Sequence, residues 1–247
     1  MREREHRFIA FGVIFIFGVG AGWIVKGRYW DAFFSSYVPA LATLLAAYYG
    51  ARFAFQYQAD KEKEESKRLN IRHGNAAIFT LMRMANSLRS FQIQFLNPAR
   101  ESQFRFIEIP QVLHYVDDDI KLNIDALYFL LRPEGENLLS ELVIASEKYH
   151  VAIDVLNERS RLLSNSVPLL DRAGITSGGQ YSLEQIKEAL GERLYNSLVK
   201  FTDYTFEDID DTINILKPCA DKLRASLQKL HPNETIIGFE YLNQIKW

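Results

Sequence analysis

The hydrophobic pattern of this chain is sharply uneven. From Phe8 to Val25 the sequence "FIAFGVIFIFGVGAGWIV" is an uncharged run of 18 residues. As a helix rising 1.5 Å per residue it reaches roughly 27 Å, close to the hydrocarbon thickness of a bilayer. A second run, of 20 uncharged residues, lies between Asp31 and Arg52. Pro39 suits the first turn of its helix, where a missing N–H removes no intrahelical bond. Beyond Phe55 comes "QADKEKEESKR", which mixes signs, places Glu64 four before Arg68 and is rich in strong helix formers. From Ile71 the apolar spacing becomes heptad-like, through Ile78, Leu81, Ala85, Leu88 and Phe95. It predicts a helix packed along one seam to about Leu96, with Gly74 as a weak point and Asn97–Pro98 as its stop.

The remainder reads as further helices. "ARESQFRFIEIPQVLHYVDDD" is irregular, and "DIKLNIDALYFLLR" predicts a helix. "NLLSELVIASEKYHVAIDVLNERSRLLSN" predicts a longer one, with Leu139, Leu142, Ile144, Tyr149, Ile153 and Leu156 at helical spacing. After a loop at "RAGITSGGQ", Ser182 and Gln185 form a capping box that opens a helix to about Val199. "FEDIDDTINILKPCADKLRASLQKL" continues as helix, bent or broken at Pro218. No segment beyond residue 60 alternates as a strand does. The expected fold class is all-α. It comprises a transmembrane hairpin over 1–57 (spans about 8–25 and 37–55), a charged stalk and coiled-coil-like helix over 58–97, and a cytoplasmic helical domain over 98–247.

A cleaved signal peptide is the rival reading of the first run, since "MREREHR" resembles an n-region. Glu3 and Glu5 among its bases, the length of the run and a second run following at once argue for an uncleaved span. For the second run the rival is a buried helix of a soluble core. Bases set the direction of the hairpin. Arg2, Arg4 and Arg7 precede the first span, and Arg52, Lys61, Lys63, Lys67, Arg68 and Arg72 lie at or after the end of the second. The turn has only Lys26 and Arg28, so both termini are expected in the cytoplasm, with Arg7 and Arg52 at the inner boundary. Trp23 and Trp30 suit the outer aromatic belt, and Tyr48, Tyr49 and Tyr57 the inner one. Gly18 and Gly22 on the first span, and Ala42, Ala46, Gly50 and Ala54 on the second, give rows of small residues that let helix backbones approach.

Composition removes several function classes. The net charge of -2 shows no basic excess, so direct DNA binding is not expected. The single cysteine, Cys219, excludes an internal disulfide framework and a cysteine-based zinc site. Gly18, Gly20 and Gly22 lie inside an apolar run without a strand–turn–helix context, so they form no nucleotide loop. Asp117, Asp118 and Asp119 lack EF-hand spacing and read as a solvated turn or a helix cap. Asp203, Glu207, Asp208, Asp210 and Asp211 read as a solvent face. HEPN ribonucleases, which are helical, carry an arginine followed four to six residues later by a histidine. Arg68 with His73 and Arg224 with His231 match that spacing, but chance supplies about one match in a chain of this composition. No cofactor, metal or catalytic group is assigned.

The hairpin entering a charged helix, followed by "LYFLL" and "EKYHVAIDVLNERSRLL", resembles uncharacterised bacterial two-span membrane proteins. Some of these are encoded in defence islands, including the transmembrane effectors of retron anti-phage systems. The resemblance implies an inner-membrane effector that damages the host membrane when a partner senses infection. The expected partners are the lipid bilayer, further copies of the chain, and a regulatory protein or ribonucleoprotein on the cytoplasmic domain. A membrane-tethered scaffold or sensor is the alternative, and a tethered HEPN-like ribonuclease comes third.

Overall fold

The computed structural model describes residues 35, 38–112, 120–131, 136–176 and 179–238. Among them are helices and turns and no strand, as an all-α chain requires. The first apolar run, with Arg7, Gly18 and Gly22, lies outside the described residues, as do Asp117 to Asp119. The chain divides into two compact units, residues 1–65 and 66–247.

Helix α1 runs from Val38 to Phe91 without interruption. Pro39 sits in its first turn, where proline is tolerated. Gly74 is not a weak point, because the helix passes straight through it. A Cβ built there would stand 2.5 Å from Leu227 Cδ1, so glycine is what lets two helices approach. After Phe91 the helix widens into a π-helical turn, Gln92–Leu96, and continues as the short α2, Asn97–Ala99. Asn97 and Pro98 therefore do not stop the run. Pro98 stands at the start of α2.

Within residues 66–247, three long helices share one core. These are the later part of α1, α4 (Glu136–Arg172) and α6 (Glu192–Leu230). Each buries a seam at spacings of three and four. On α4 the seam is Leu142, Ala145, Tyr149, Ala152, Leu156, Arg159, Leu163, Ser166 and Leu170. On α6 it runs through Leu198, Thr202, Thr205, Ile209, Thr212, Leu216, Cys219, Leu223 and Leu227. That period is what keeps one face of a helix against its neighbours over many turns. Gly74 faces Leu227 and Gln92 reaches Asp210, so α1 and α6 run antiparallel. Lys222 bonds Glu141 at 2.7 Å and Arg159 bonds Thr202 at 3.3 Å, so α4 and α6 do too. Ile144 is the exception among the apolar positions expected inside α4. It points outward, because it falls between the seam positions Leu142 and Ala145.

Three expectations about the connecting parts are corrected. "DIKLNIDALYFLLR" forms only a 3-10 turn, Asp125–Leu130. Ile120 and Leu122 bury alternate residues ahead of it, and the Asn123 carboxamide oxygen accepts the Ala126 N–H. Local capping and alternate burial thus displace the α-helix. The Ser182–Gln185 capping box forms as expected, but its helix α5, Leu183–Leu190, ends at Gly191 instead of reaching Val199. Gly191 has φ 73°, which favours glycine, and α6 starts one residue later. At Pro218, by contrast, α6 is not broken, since one helix spans the proline. The proline and Asn214, whose carbonyl loses its N–H partner, both face solvent, so the ring meets no packed neighbour and water can bond that carbonyl.

Candidate functional site

Helix Val38–Ala99 is long and apolar enough to cross a membrane, and none of its most apolar window is buried. Leu44 is 68% exposed, Phe53 65% and Phe55 76%. Burying such a side chain is worth about 1.5–3 kcal/mol. A core helix of a soluble protein buries such side chains, whereas here they are exposed. Ala42, Ala46, Gly50 and Ala54 are exposed on the same stretch of helix, and a Cβ on Gly50 would meet nothing within 4 Å. The Thr43 hydroxyl donates to the Pro39 carbonyl at 2.8 Å, so its one strong donor is satisfied within the helix. Arg52 is half-buried at the far end of the run.

A second feature is built around Arg159, which is fully buried on α4. Its Nη2 donates to the carbonyls of Phe106 (3.2 Å) and Ile109 (2.6 Å), its Nη1 to Pro110 (3.2 Å) and its Nε to the Thr202 hydroxyl (3.3 Å). The carbonyls lie in the last turn of the short helix α3, Arg105–Glu108, and just after it, where partners are missing and the backbone dipole is negative. Next to it, Ser160 Oγ accepts the Val112 N–H at 3.2 Å. Two adjacent side chains of α4 thus fix the irregular segment 105–112. Every acceptor of Arg159 is neutral, and burial pulls the guanidinium down to about 10.

Above this node lies a polar cluster. Arg100 pairs with Asp210 at 3.0 Å and Arg105 with Asp203 at 2.9 Å. Both guanidinium groups lie over the Phe206 ring, 5.1 and 5.2 Å from its centre. Gln92, in the π-helical turn, donates to Asp210 and accepts from Arg89. Asp203 and Asp210 are therefore structural partners and not members of a plain solvent face. The sequence hinted at this only through their spacing of seven on α6. Each exposed pair is worth at most about 1 kcal/mol, and each cation–π contact about 0.5–1.

A cleft of about 890 Å³ opens on the other side of segment 103–111, between Phe104, Ile107, Leu163, Leu170, Tyr181 and Ile186. Its size falls within the range of small-molecule sites. Glu108 and Asp171 are its charged lining residues.

The residues of the two arginine–histidine pairs, Arg68 with His73 and Arg224 with His231, all keep some contact with solvent. Arg68 and Arg224 are exposed, and His73 and His231 are half-buried. The Glu234 carboxyl is held below its ordinary range chiefly by its hydrogen bond from Lys67, with His231 and Arg68 adding to the effect. Arg68 of one pair and His231 of the other thus converge on a carboxylate. No group of His, Cys, Asp or Glu suited to a metal ion occurs among the described residues. The chain matches no family model, no curated protein and no solved structure.

Proposed function

We propose that this chain is a bacterial inner-membrane effector that perturbs membrane integrity in anti-phage defence when a regulatory partner releases it. The observation that carries the reading is the unburied apolar window of α1, which leaves the bilayer as its natural solvent. Basic residues on both flanks favour an orientation with both termini in the cytoplasm. Small residues from Ala42 to Ala54 support assembly of spans between copies. A pore lined by polar side chains is the less favoured form, because Thr43 bonds within its own helix. Local thinning of the bilayer fits the span better.

Expression without the partner, followed with a voltage-sensitive dye, tests the reading. The full chain depolarises cells before any loss of RNA, and residues 58–247 alone do not. Charged side chains of that fragment would each cost about 2.5–3.5 kcal/mol at the bilayer centre. A fragment that degrades RNA would establish the nuclease instead. Harmless accumulation of the full chain in membranes would leave a tethered sensor, a reading favoured by the cleft beside Leu163 and Ile186.

A further inference from the structure

The cleft beside segment 103–111 has an apolar floor, where Leu163 and Leu170 of α4 and Ile186 of α5 are buried. Val167, between the two leucines on the same face of α4, is left 40% exposed. Phe104 and Tyr181 bring aromatic side chains to the walls. Each wall is held by bonds of its own. Arg159 and Ser160 fix segment 105–112 through its backbone. The Tyr181 hydroxyl donates to the Gly174 carbonyl and accepts the Thr176 N–H, both at 3.1 Å, so it is satisfied without a ligand. Glu108 and Asp171 add carboxyl groups to the lining, and no base lines the cleft. Neither acid makes an ion pair among the described residues.

We infer that this cleft binds a small organic cation with an apolar, aromatic body. The floor takes the body, because removing apolar surface from water supplies most of the affinity of such sites. Charge complementarity selects the cation. Two carboxylates face it without a competing base, and the faces of aromatic rings attract positive charge as well. An anion of the same shape meets repulsion from both acids and is rejected. The volume of about 890 Å³ lies within the range of roughly 300–1,000 Å³ that small molecules occupy, which favours a free small molecule over a protein surface. Walls fixed in advance lose little freedom when the ligand arrives, so the cost of ordering the site is low. All of these residues belong to the unit 66–247, and the site stands whether or not the chain perturbs membranes.

Fluorescence anisotropy tests it, with the full chain in neutral detergent at pH 7. The probe is tetramethylrhodamine methyl ester, a cationic xanthene dye. Its binding saturates, and fluorescein, an anionic xanthene, binds at least fivefold more weakly. Glu108→Gln with Asp171→Asn lowers the affinity for the cationic dye at least fivefold, whereas Glu108→Asp with Asp171→Glu keeps it. Val167→Trp fills the cleft from an exposed position and also lowers the affinity at least fivefold. All the substituted positions are exposed, so the melting temperature of each variant stays at the native value. Binding that does not saturate, a smaller preference over fluorescein, or a smaller loss from either the neutralising pair or Val167→Trp would overturn the site. Tighter binding of a labelled peptide of alternating arginine and phenylalanine would make a peptide the occupant and overturn the proposal. Dye affinity that falls as the chain self-associates would do the same in favour of a second copy.

Discussion

Arg159 donates to the Ile109 carbonyl across 2.6 Å in an interior where both residues are fully buried. The guanidinium replaces the helical turn that would otherwise satisfy the end of α3. Arg159→Ala strands the buried carbonyls of Phe106 and Ile109, and an unsatisfied buried acceptor costs about 1–3 kcal/mol. Thr202→Val removes a single acceptor and costs about 0.5–1.5 kcal/mol. Denaturant unfolding of the full chain in detergent should show that order. The pH dependence has a definite sign. The folded guanidinium titrates at about 10, below its ordinary value, so above pH 10 the unfolded chain binds more protons there. Stability of the native chain therefore rises relative to Arg159→Met as pH climbs through that window.

Gly74 and Leu227 make a similar point about packing. Alanine at position 74 gains about 1 kcal/mol of helix propensity but forces its methyl into Leu227, and overpacking costs about 1–3 kcal/mol. Gly74→Ala is therefore neutral to destabilising. Gly74→Ala with Leu227→Ala should recover more stability than the sum of the two single changes allows, as a thermal double-mutant cycle would show.

The seam of α1 from Ile78 to Leu88 and the capping box at Ser182 were legible in the sequence, because each depends on neighbours within two turns. The role of Arg159 was not, since its acceptors Phe106, Ile109 and Pro110 lie some fifty residues away. Its one signal was an arginine at a seam position, three after Leu156 and four before Leu163. Gly191 was hidden for a different reason. The amphipathic pattern continues across it, and only its positive φ separates α5 from α6. Pro218 misled in the opposite direction, because whether a proline breaks a helix depends on which side faces solvent.

Cys219 should be silent in the native chain. Burial, with Glu141 adding in the same direction, pushes its thiol up, and the thiolate is the reactive form. A maleimide at pH 7.5 should label it at least tenfold more slowly than in denaturant. Equal rates would mean that α6 does not pack against α4 at that level.

Gly50→Leu places a bulky side chain in the row of small residues on the span. Packing and polar contacts in membranes are worth about 0.6–2 kcal/mol, so assembly weakens while insertion persists. Cross-linked oligomers that survive both Gly50→Leu and Ala46→Leu unchanged would remove this face as the contact.

The start of α1 lies in lipid or in water, and the membrane reading depends on which. Nitroxide labels at Leu45, Phe53 and Ser66 of the chain reconstituted in liposomes report it through collisions with oxygen, which concentrates in lipid, and with a polar nickel complex, which does not enter. Leu45 should be accessible to oxygen and shielded from nickel, Phe53 intermediate, and Ser66 the reverse of Leu45. A Leu45 label as open to nickel as the Ser66 label would place the helix in water and contradict the membrane reading.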